Sequence, residues 1–282
     1  MITRQRIFLE VFDGPVPEAS RALEAEGWAA LRGALTAQEV AALSAEIEAI
    51  YDAVPADVRN ETLPAEERED FRYEMLNRSA ACQRLIADRR ILDVVEPLLG
   101  EDCHVIANTA WRNPPRPEQD HGGGYWHIDA GPHVPRPEGV PWDERIPYPI
   151  FAIAVHVLLR DCPEACGPTG VIPRSHRTGR PPPLERVKDA TLRCDGQPAL
   201  PITGVAGDVL LFVSDVWHRR LPTGPGDCGR FFLQVHYGRR DLAQRLHTTS
   251  QCHQLSSEAL ARARDERDRT VIGLHRPFFY DG

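Results

Sequence analysis

The sequence lacks any long apolar segment. It contains no run of about 18 apolar residues, the minimum for a helix that crosses a lipid bilayer. The first residues, MITRQRIFLEVFDG, have neither a long apolar centre nor a small-residue cleavage site, so no signal peptide is expected. We therefore expect a cytoplasmic protein that does not cross a membrane.

An excess of positive charge is also missing. The chain carries 33 Lys and Arg against 41 Asp and Glu, which gives a formal net charge of −8. Proteins that bind nucleic acid or an anionic membrane surface concentrate basic residues on one face, and here the basic residues are scattered. The expected partner is a small-molecule substrate, not nucleic acid or a membrane, and the sequence indicates no oligomeric state.

Paired cysteine motifs are lacking, and the cysteine spacing predicts no structural bridge. The seven cysteines are odd in number and widely spread. Cys162 and Cys166 lie four residues apart, but no second pair completes a zinc site. Reduced thiols, as in cytoplasmic proteins, are the expectation.

The apolar pattern predicts a single domain over residues 1–282 with three parts. In the first hundred residues, Thr36 and Glu39 form a capping-box motif, and the run that follows repeats its apolar residues at helical spacing. Residues 101–240 form a β-rich core, and a charged helical tail runs from about 256 to 269. The fold class is therefore mainly β with flanking helices.

The core is predicted to be an all-β sandwich or barrel, because short branched and aromatic segments alternate with Gly, Pro and Asp. These segments are CHVIANTAW (103–111), YWHID (125–129), IFAIAVHVLL (150–159), GVIP (170–173), DVLLFV (208–213) and RFFLQVHY (230–237). Two long loops, 131–149 and 177–203, separate some of them. Each loop is either a lid over a site or a tolerated insertion.

A histidine and an aspartate two residues apart are the first candidate site. They end the stretch GGGYWHID (122–129). If this segment is a strand, the side chains of His127 and Asp129 point to the same face and could hold one metal ion. One such pair is near chance expectation, so a third ligand is needed, and the best candidate is His218 in GDVLLFVSDVWHRRLPTG (207–224).

Several segments carry a resemblance to a known family. They are HID (127–129), GPTGVIPRSHR (167–177), GDVLLF (207–212), His218 with Arg230 twelve residues later, and EGWAALRGALTAQEV (26–40). Together they resemble the phytanoyl-CoA dioxygenase family of iron(II)- and 2-oxoglutarate-dependent oxygenases, over roughly residues 18–240. The resemblance implies a double-stranded β-helix, which is the jelly-roll or cupin-like core, with N-terminal helices.

The resemblance also implies a reaction. His127, Asp129 and His218 would hold Fe(II) and leave three positions for 2-oxoglutarate and O2. Members of the family oxidise an unactivated C–H bond and release succinate and CO2. Related halogenases have a small residue in place of the aspartate, so Asp129 favours hydroxylation or another oxidation over halogenation.

Further site residues follow from the same resemblance. Arg230 would bind the distal carboxylate of 2-oxoglutarate through paired hydrogen bonds, although a lone Arg at a strand start is also a common surface ion pair. His156 stands where the family often has an aromatic residue, so either a cosubstrate contact or a satisfied core histidine is open. Asn108 and Thr109 precede the site on a strand that commonly supplies polar contacts to 2-oxoglutarate.

The substrate is less well defined by the sequence. His133, Trp142 and His236 are candidates to line a substrate pocket, whereas Trp126 and Trp217 precede ligands and should point away from the metal. A tailoring reaction in bacterial natural-product biosynthesis is preferred over acyl-CoA hydroxylation, since basic clusters are few. A cupin-like hydrolase or isomerase that does not use 2-oxoglutarate, and a non-catalytic jelly-roll binding module, are competing hypotheses.

Overall fold

The computed structural model describes residues 2–5, 9–12, 16–56, 70–118, 124–129, 131–246 and 254–275. Gly122 and Gly123 of the GGGYWHID stretch lie outside these ranges. No helix within the described ranges combines the length and the apolar character that crossing a bilayer requires.

The helices lie at the two ends of the chain, as predicted. They are α1 (Glu18–Glu26), α2 (Ala37–Ala53), α3 (Met75–Arg78), α4 (Ala80–Ile86), α5 (Arg89–Leu99), α6 (Ser257–Arg262) and α7 (Glu266–Val271). The predicted apolar face of α2 is buried and consists of Val40, Leu43, Ile47 and Ile50. The predicted C-terminal helix is two short helices, because each half has its own cap, at Ser256 and at Asp265.

A capping box fixes the start of α2. The Thr36 side chain accepts a hydrogen bond from the Glu39 backbone N–H, and the Glu39 carboxylate accepts one from the Thr36 backbone N–H. Thr36→Ala is therefore expected to lower the free energy of unfolding by about 1 kcal/mol. Chemical denaturation measures the change, Thr36→Ser should retain most of the stability, and an unaltered Ala variant would contradict the role of the cap.

Eleven strands are present among the described residues. They are β1 (Ile2–Gln5), β2 (Leu9–Phe12), β3 (Trp28–Leu31), β4 (Phe71–Tyr73), β5 (His104–Asn113), β6 (Ala152–Leu158), β7 (Thr169–Val171), β8 (Leu200–Pro201), β9 (Val209–Val213), β10 (His218–Arg220) and β11 (Arg230–Gly238). Six form a main sheet in the order β3-β9-β6-β11-β5-β4, and three form a smaller sheet in the order β10-β7-β8. Both sheets are antiparallel, which agrees with the mainly β prediction.

The two faces of the main sheet have different roles. Val155, Leu211 and Val235 point to one face and join the large apolar core together with residues of α1, α2, α4 and α5. Phe212 and Phe232 point to the other face, and there they pack with residues of the smaller sheet. Any polar side chain on this inner face is enclosed between the two sheets, because successive strand residues alternate between faces.

Candidate metal centre

Two elements bring three possible metal ligands together. His127 forms an isolated antiparallel bridge with His218, the first residue of β10, through two backbone hydrogen bonds of 3.0 Å. The Asp129 N–H donates to the Ser214 carbonyl at 3.0 Å, and this hydrogen bond fixes the backbone two residues after His127. Residues 125–129 are therefore a short bridge and not the full strand that was predicted, but the two-residue spacing still directs both side chains to one side.

The ligand atoms of His127, Asp129 and His218 all lie within 4.8 Å of one another. Asp129 Oδ1 is 4.0 Å from His127 Nε2 and 3.4 Å from His218 Nε2. The Asp129 side chain is 21% exposed and that of His218 only 7%, so the group opens to solvent on one side. Two imidazoles and one carboxylate on one face of an ion are typical of non-haem iron(II) oxygenases.

Backbone carbonyls fix the orientation of both imidazole rings. His127 Nδ1 lies 2.6 Å from the Tyr125 carbonyl oxygen, and His218 Nδ1 lies 2.9 Å from that of Val216. A carbonyl oxygen only accepts, so each Nδ1 donates its proton and each Nε2 keeps a free lone pair. This is the usual arrangement for a metal-binding histidine.

The charges around Asp129 keep its carboxyl group ionised. Burial raises the pKa of Asp129, but the charges of the neighbouring His218 and His236 outweigh burial and hold the pKa well below its ordinary value. Burial lowers the pKa of His218, but the Asp129 carboxylate more than compensates and raises it. Burial, followed by the charge of His218, lowers the pKa of His127.

A third histidine, His236, lies beside the same carboxylate. Its Nε2 is 3.6 Å from Asp129 Oδ2 and accepts a hydrogen bond from Gln234 Nε2–H at 2.8 Å. Gln234 Oε1 in turn accepts from Trp111 Nε1–H at 2.7 Å. The network holds His236 beside the second oxygen of Asp129, and its role in lining a substrate pocket stays a prediction.

Arg230 is buried at one end of the inner face. Its Nε donates to Asn113 Oδ1 at 3.1 Å and its Nη1 to the Gly167 carbonyl at 3.2 Å. Burial, followed by the charge of Arg220, lowers the pKa of Arg230 to about 9. Within the described ranges no carboxylate forms an ion pair with it, so the alternative of a surface ion pair does not hold.

A second guanidinium lies next to Arg230. Arg220 is two residues after His218 on β10, is only 7% exposed, and has no hydrogen-bond partner among the described residues for Nε and Nη2. Burial lowers its pKa to about 10. Sequence reasoning missed Arg220, although its i+2 spacing from a ligand histidine on a strand is the signal that indicates the same face.

His156 occupies the middle of the inner face. It pairs in register with Gln234 and is only 7% exposed. Its Nδ1 lies 3.5 Å from Thr169 Oγ1, whereas its Nε2 is buried with no partner in the part of the chain that the structure describes. Since buried polar atoms are nearly always hydrogen-bonded, the bare Nε2 indicates that a polar group is missing here.

The strand register separates the two residues predicted on β5. Thr109 pairs with Gln234 and therefore faces inward, towards His156. Asn108 pairs with Val235, which belongs to the helix-side core, so its side chain lies on the opposite face of the sheet. The cosubstrate role predicted for Asn108 is corrected accordingly, because adjacent strand residues cannot share a face. Asn113, which shares the face of Arg230, was not predicted.

Of the two loop residues predicted to line a substrate pocket, the structure places Trp142 away from the ligand triad. Trp142 packs against the helix-side core and meets Tyr148 edge to face at 5.0 Å, so the structure does not bring it to the ligand triad. The correction arises because the loop 131–149 returns to α1, where the Tyr148 N–H donates to the Glu24 carboxylate. His133 is held by Asp215 and is not part of the ligand group.

The two tryptophans that precede ligands point away from the triad, as predicted. Trp126 and Trp217 belong to a separate apolar cluster with Ile172 and Leu192. Their indole N–H groups donate to backbone carbonyls at 2.8 and 2.7 Å. They support the backbone that carries the ligands.

Comparison with known families identifies this arrangement. The family model of phytanoyl-CoA dioxygenase (PhyH) matches residues 23–222, a segment that contains all three ligand candidates. The chain belongs to the phytanoyl-CoA dioxygenase family. The resemblance seen in the sequence is thereby confirmed.

A curated relative matches a smaller part of the chain. Ectoine dioxygenase of Bordetella parapertussis is 32% identical over 160 residues, which are 55% of this chain and 47% of the relative. The chain thus matches about half the length of that relative.

Solved structures share the fold. EctD from S. alaskensis, with bound 2-oxoglutarate and 5-hydroxyectoine, superposes with a TM-score of 0.63 at 24% identity and covers 83% of this chain and 79% of its own. The 2-oxoglutarate-dependent epimerase SnoN from nogalamycin biosynthesis superposes with a TM-score of 0.60 at 18% identity, and the match covers 84% of this chain and 92% of the SnoN chain.

Proposed function

We propose that the protein is an iron(II)- and 2-oxoglutarate-dependent dioxygenase that hydroxylates, or otherwise oxidises, an unactivated C–H bond of a small molecule. The observation that carries the proposal is the convergence of two imidazoles and one carboxylate beside buried guanidinium groups that have no acid partner in the described part of the chain. Family membership supports the reaction class.

The donor set fits iron(II). His127, Asp129 and His218 offer two nitrogen atoms and one oxygen, and both Nε2 atoms are free because the Nδ1 atoms donate to carbonyls. Asp129 Oδ1 lies 4.0 Å from His127 Nε2 and 3.4 Å from His218 Nε2, so it is the carboxylate oxygen that would join the two histidines in holding the ion.

The inner face fits 2-oxoglutarate. Arg230 and the neighbouring Arg220 are buried cations with no carboxylate paired to them among the described residues, and an anion between them would relieve their mutual repulsion. Asn113 and the Gly167 carbonyl hold the Arg230 guanidinium, so its position is fixed before the cosubstrate binds. Thr109 and the unpartnered Nε2 of His156 add polar groups to the same inner face of the sheet.

The role of the chain in the reaction is positional. Bound iron with 2-oxoglutarate and O2 supplies the oxidising power for C–H cleavage, with release of succinate and CO2. The three ligands fix the ion, and Arg230 orients the cosubstrate by its distal carboxylate. Phe212 and Phe232 pack around His156 at ring distances of 5.2 and 4.6 Å, and they exclude water from the space beside it.

The two sheets support a finer description of the fold. We propose that the main sheet and the smaller sheet are the two halves of a double-stranded β-helix, with the site at the open end between them. We also propose one domain over the whole chain. The six cysteines within the described ranges carry no disulfide, which supports a reducing compartment such as the cytoplasm.

A small polar metabolite is the proposed substrate, in bacterial natural-product biosynthesis. Support comes from the matched relative, named ectoine dioxygenase, and from the structural likeness to EctD and SnoN. The direct test is succinate release by iron-loaded protein, screened over candidate metabolites. Succinate that accumulates with an oxidised product supports the proposal, whereas turnover of a substrate without 2-oxoglutarate would favour a hydrolase or an isomerase.

His156→Phe separates a cosubstrate contact from a packing role. Removal of the bare buried Nε2 should raise the free energy of unfolding of the cosubstrate-free protein by about 1 kcal/mol or more. The same change should weaken 2-oxoglutarate binding, because the polar group is lost. Thermal unfolding with and without 2-oxoglutarate measures both effects, and an unchanged cosubstrate affinity would assign His156 to packing alone.

A further inference from the structure

A second polar cavity lies away from the metal centre. We call it the loop cavity. It has a volume of about 390 Å³ between the loop 131–149 and the turn at 174–180, and its lining includes Arg136, Trp142, Arg174, Arg177 and Arg180.

The loop cavity is separated from the ligand triad by β10 and the residue before it. The Trp217 indole N–H donates to the Arg180 carbonyl at 2.7 Å, which ties Trp217 to the cavity side. His218, the next residue, points to the opposite side and joins the triad. Neighbouring residues of an extended chain point to opposite sides. The side chains of Trp217 and His218 therefore face the cavity and the metal centre, respectively.

Buried hydrogen-bond donors without partners collect around this cavity. All three guanidinium nitrogens of Arg136, Nε of Arg177 and the hydroxyl of Tyr148 are buried and have no partner among the described residues. Arg136 lies over the Trp142 ring at 5.2 Å, and the Trp142 and Tyr148 rings are 5.0 Å apart, so these groups are neighbours. Since each unpaired buried donor is costly, such a concentration indicates a missing acceptor.

The arginines of the cavity are not all paired with a carboxylate among the described residues. Arg174, Arg177 and Arg180 each form an ion pair, with Glu144, Glu24 and Glu138 respectively. Arg136 has no such pair in the described part of the chain, although the carboxylates of Glu144 and Asp195 also line the cavity. Burial, followed by the Asp215 charge, raises the pKa of Tyr148 to about 12, and its hydroxyl therefore stays protonated as a donor.

The rim of the cavity can open to an anion. Glu138 and Glu144 have side chains 85% and 71% exposed, so their ion pairs with Arg180 and Arg174 contribute little and exchange readily. When these glutamates swing outward, the arginine side chains face the cavity. The anion would then replace exposed carboxylates on the rim and give Arg136 its missing partner.

We propose that the loop cavity binds the phosphate groups of a small organic phosphate. Guanidinium groups from several directions suit a tetrahedral group with three or more acceptor oxygens, and arginine pairs with phosphate through two hydrogen bonds. Pro137, Val140, Pro141 and Trp142 provide an apolar wall for the organic part. The site is independent of the proposed oxygenase reaction, since it needs neither the metal nor 2-oxoglutarate.

Titration calorimetry with pyrophosphate and with adenosine diphosphate, both in the presence of a chelator, tests the site in the full chain. Both probes should bind the wild-type protein. Arg136→Met should weaken both by about tenfold or more, the usual cost of a lost charge-assisted contact. Arg145→Met is the matched control, because Arg145 is on the same loop, is 89% exposed and, among the residues that the structure describes, pairs with its neighbour Asp143.

Thermal unfolding of wild type and Arg136→Met, with and without pyrophosphate, separates a loss of binding from a loss of folding. Arg136→Met removes a buried cation that has no carboxylate partner among the described residues, so the variant should unfold at the same or a higher temperature than wild type, and only wild type should be stabilised by pyrophosphate. If the two phosphate probes bind Arg136→Met as tightly as wild type, or do not bind wild type at all, the proposal is wrong. Arg136-dependent binding of citrate without binding of either phosphate probe overturns the phosphate assignment. A His127→Ala variant that loses iron but still binds pyrophosphate supports a separate site.

Discussion

His127→Ala is expected to abolish both iron(II) binding and succinate formation. The change leaves only Asp129 and His218 in the ligand group, and an isolated pair of donors does not retain iron at micromolar concentration. The loss of affinity should exceed the roughly 10- to 100-fold that loss of an outer hydrogen-bond partner costs. Equilibrium dialysis with metal analysis, together with a succinate assay, measures both effects.

A histidine outside the site provides the control. His104 lies at the start of β5, where its Nε2 contacts the Leu242 carbonyl oxygen at 2.8 Å. His104→Gln should retain iron and turnover even if it reduces stability slightly. Full iron content with normal turnover in His127→Ala would reject the ligand role, whereas equal iron loss in both variants would point to unfolding.

Arg230→Met is expected to raise the KM for 2-oxoglutarate by about 100-fold without loss of iron. The reason is that the side chain is proposed to make two charge-assisted hydrogen bonds to the distal carboxylate, each worth about 1.5 kcal/mol or more. The fold should survive, because Arg230 is a buried cation without an acid partner within the described ranges. Steady-state kinetics and 2-oxoglutarate titration of the metal-loaded protein measure the change.

Arg239 is the matched control for this prediction. It follows β11 directly, at the far end from Arg230, and is 41% exposed with an ion pair to Asp241. Arg239→Met should leave the KM for 2-oxoglutarate unchanged. If Arg230→Met also leaves it unchanged, the cosubstrate binds elsewhere, and if Arg230→Lys restores wild-type affinity, the paired hydrogen bonds are not needed.

Local patterns predicted the helices and the strands of the inner face well. The capping box and the apolar spacing placed α2, because both depend on residues within one or two turns. The alternation of strand residues also predicted that His127 and Asp129 share a side and that Trp126 and Trp217 point away. In these cases the determining interactions lie close together in sequence.

Features set by distant partners were not predictable in the same way. Asn108 and Thr109 could not be assigned to faces without the register of β5 against β11, which joins residues more than 100 positions apart. Trp142 was placed wrongly for a similar reason, since the loop 131–149 is fixed by contacts with α1 and with the turn at 174–180. Its proline-rich composition gave no indication of these partners.

Arg220 is an intermediate case. Its spacing of two from His218 was visible in the sequence, but its burial depends on the position of β10 in the smaller sheet beside β7. From the sequence alone, an arginine at this position would be assigned to the protein surface, and only the folded structure shows that it is buried. The unpaired state of its Nε and Nη2 atoms among the described residues is information that only the structure provides.

The most direct test of the shared metal and cosubstrate site is anaerobic addition of 2-oxoglutarate to the iron(II)-loaded protein, followed by visible absorption. Iron held by His127, Asp129 and His218 beside Arg230 should develop a charge-transfer band that saturates at one equivalent of 2-oxoglutarate and is absent from His127→Ala. If wild-type protein binds one iron(II) and no band appears at any 2-oxoglutarate concentration, the proposed shared site for metal and cosubstrate is wrong.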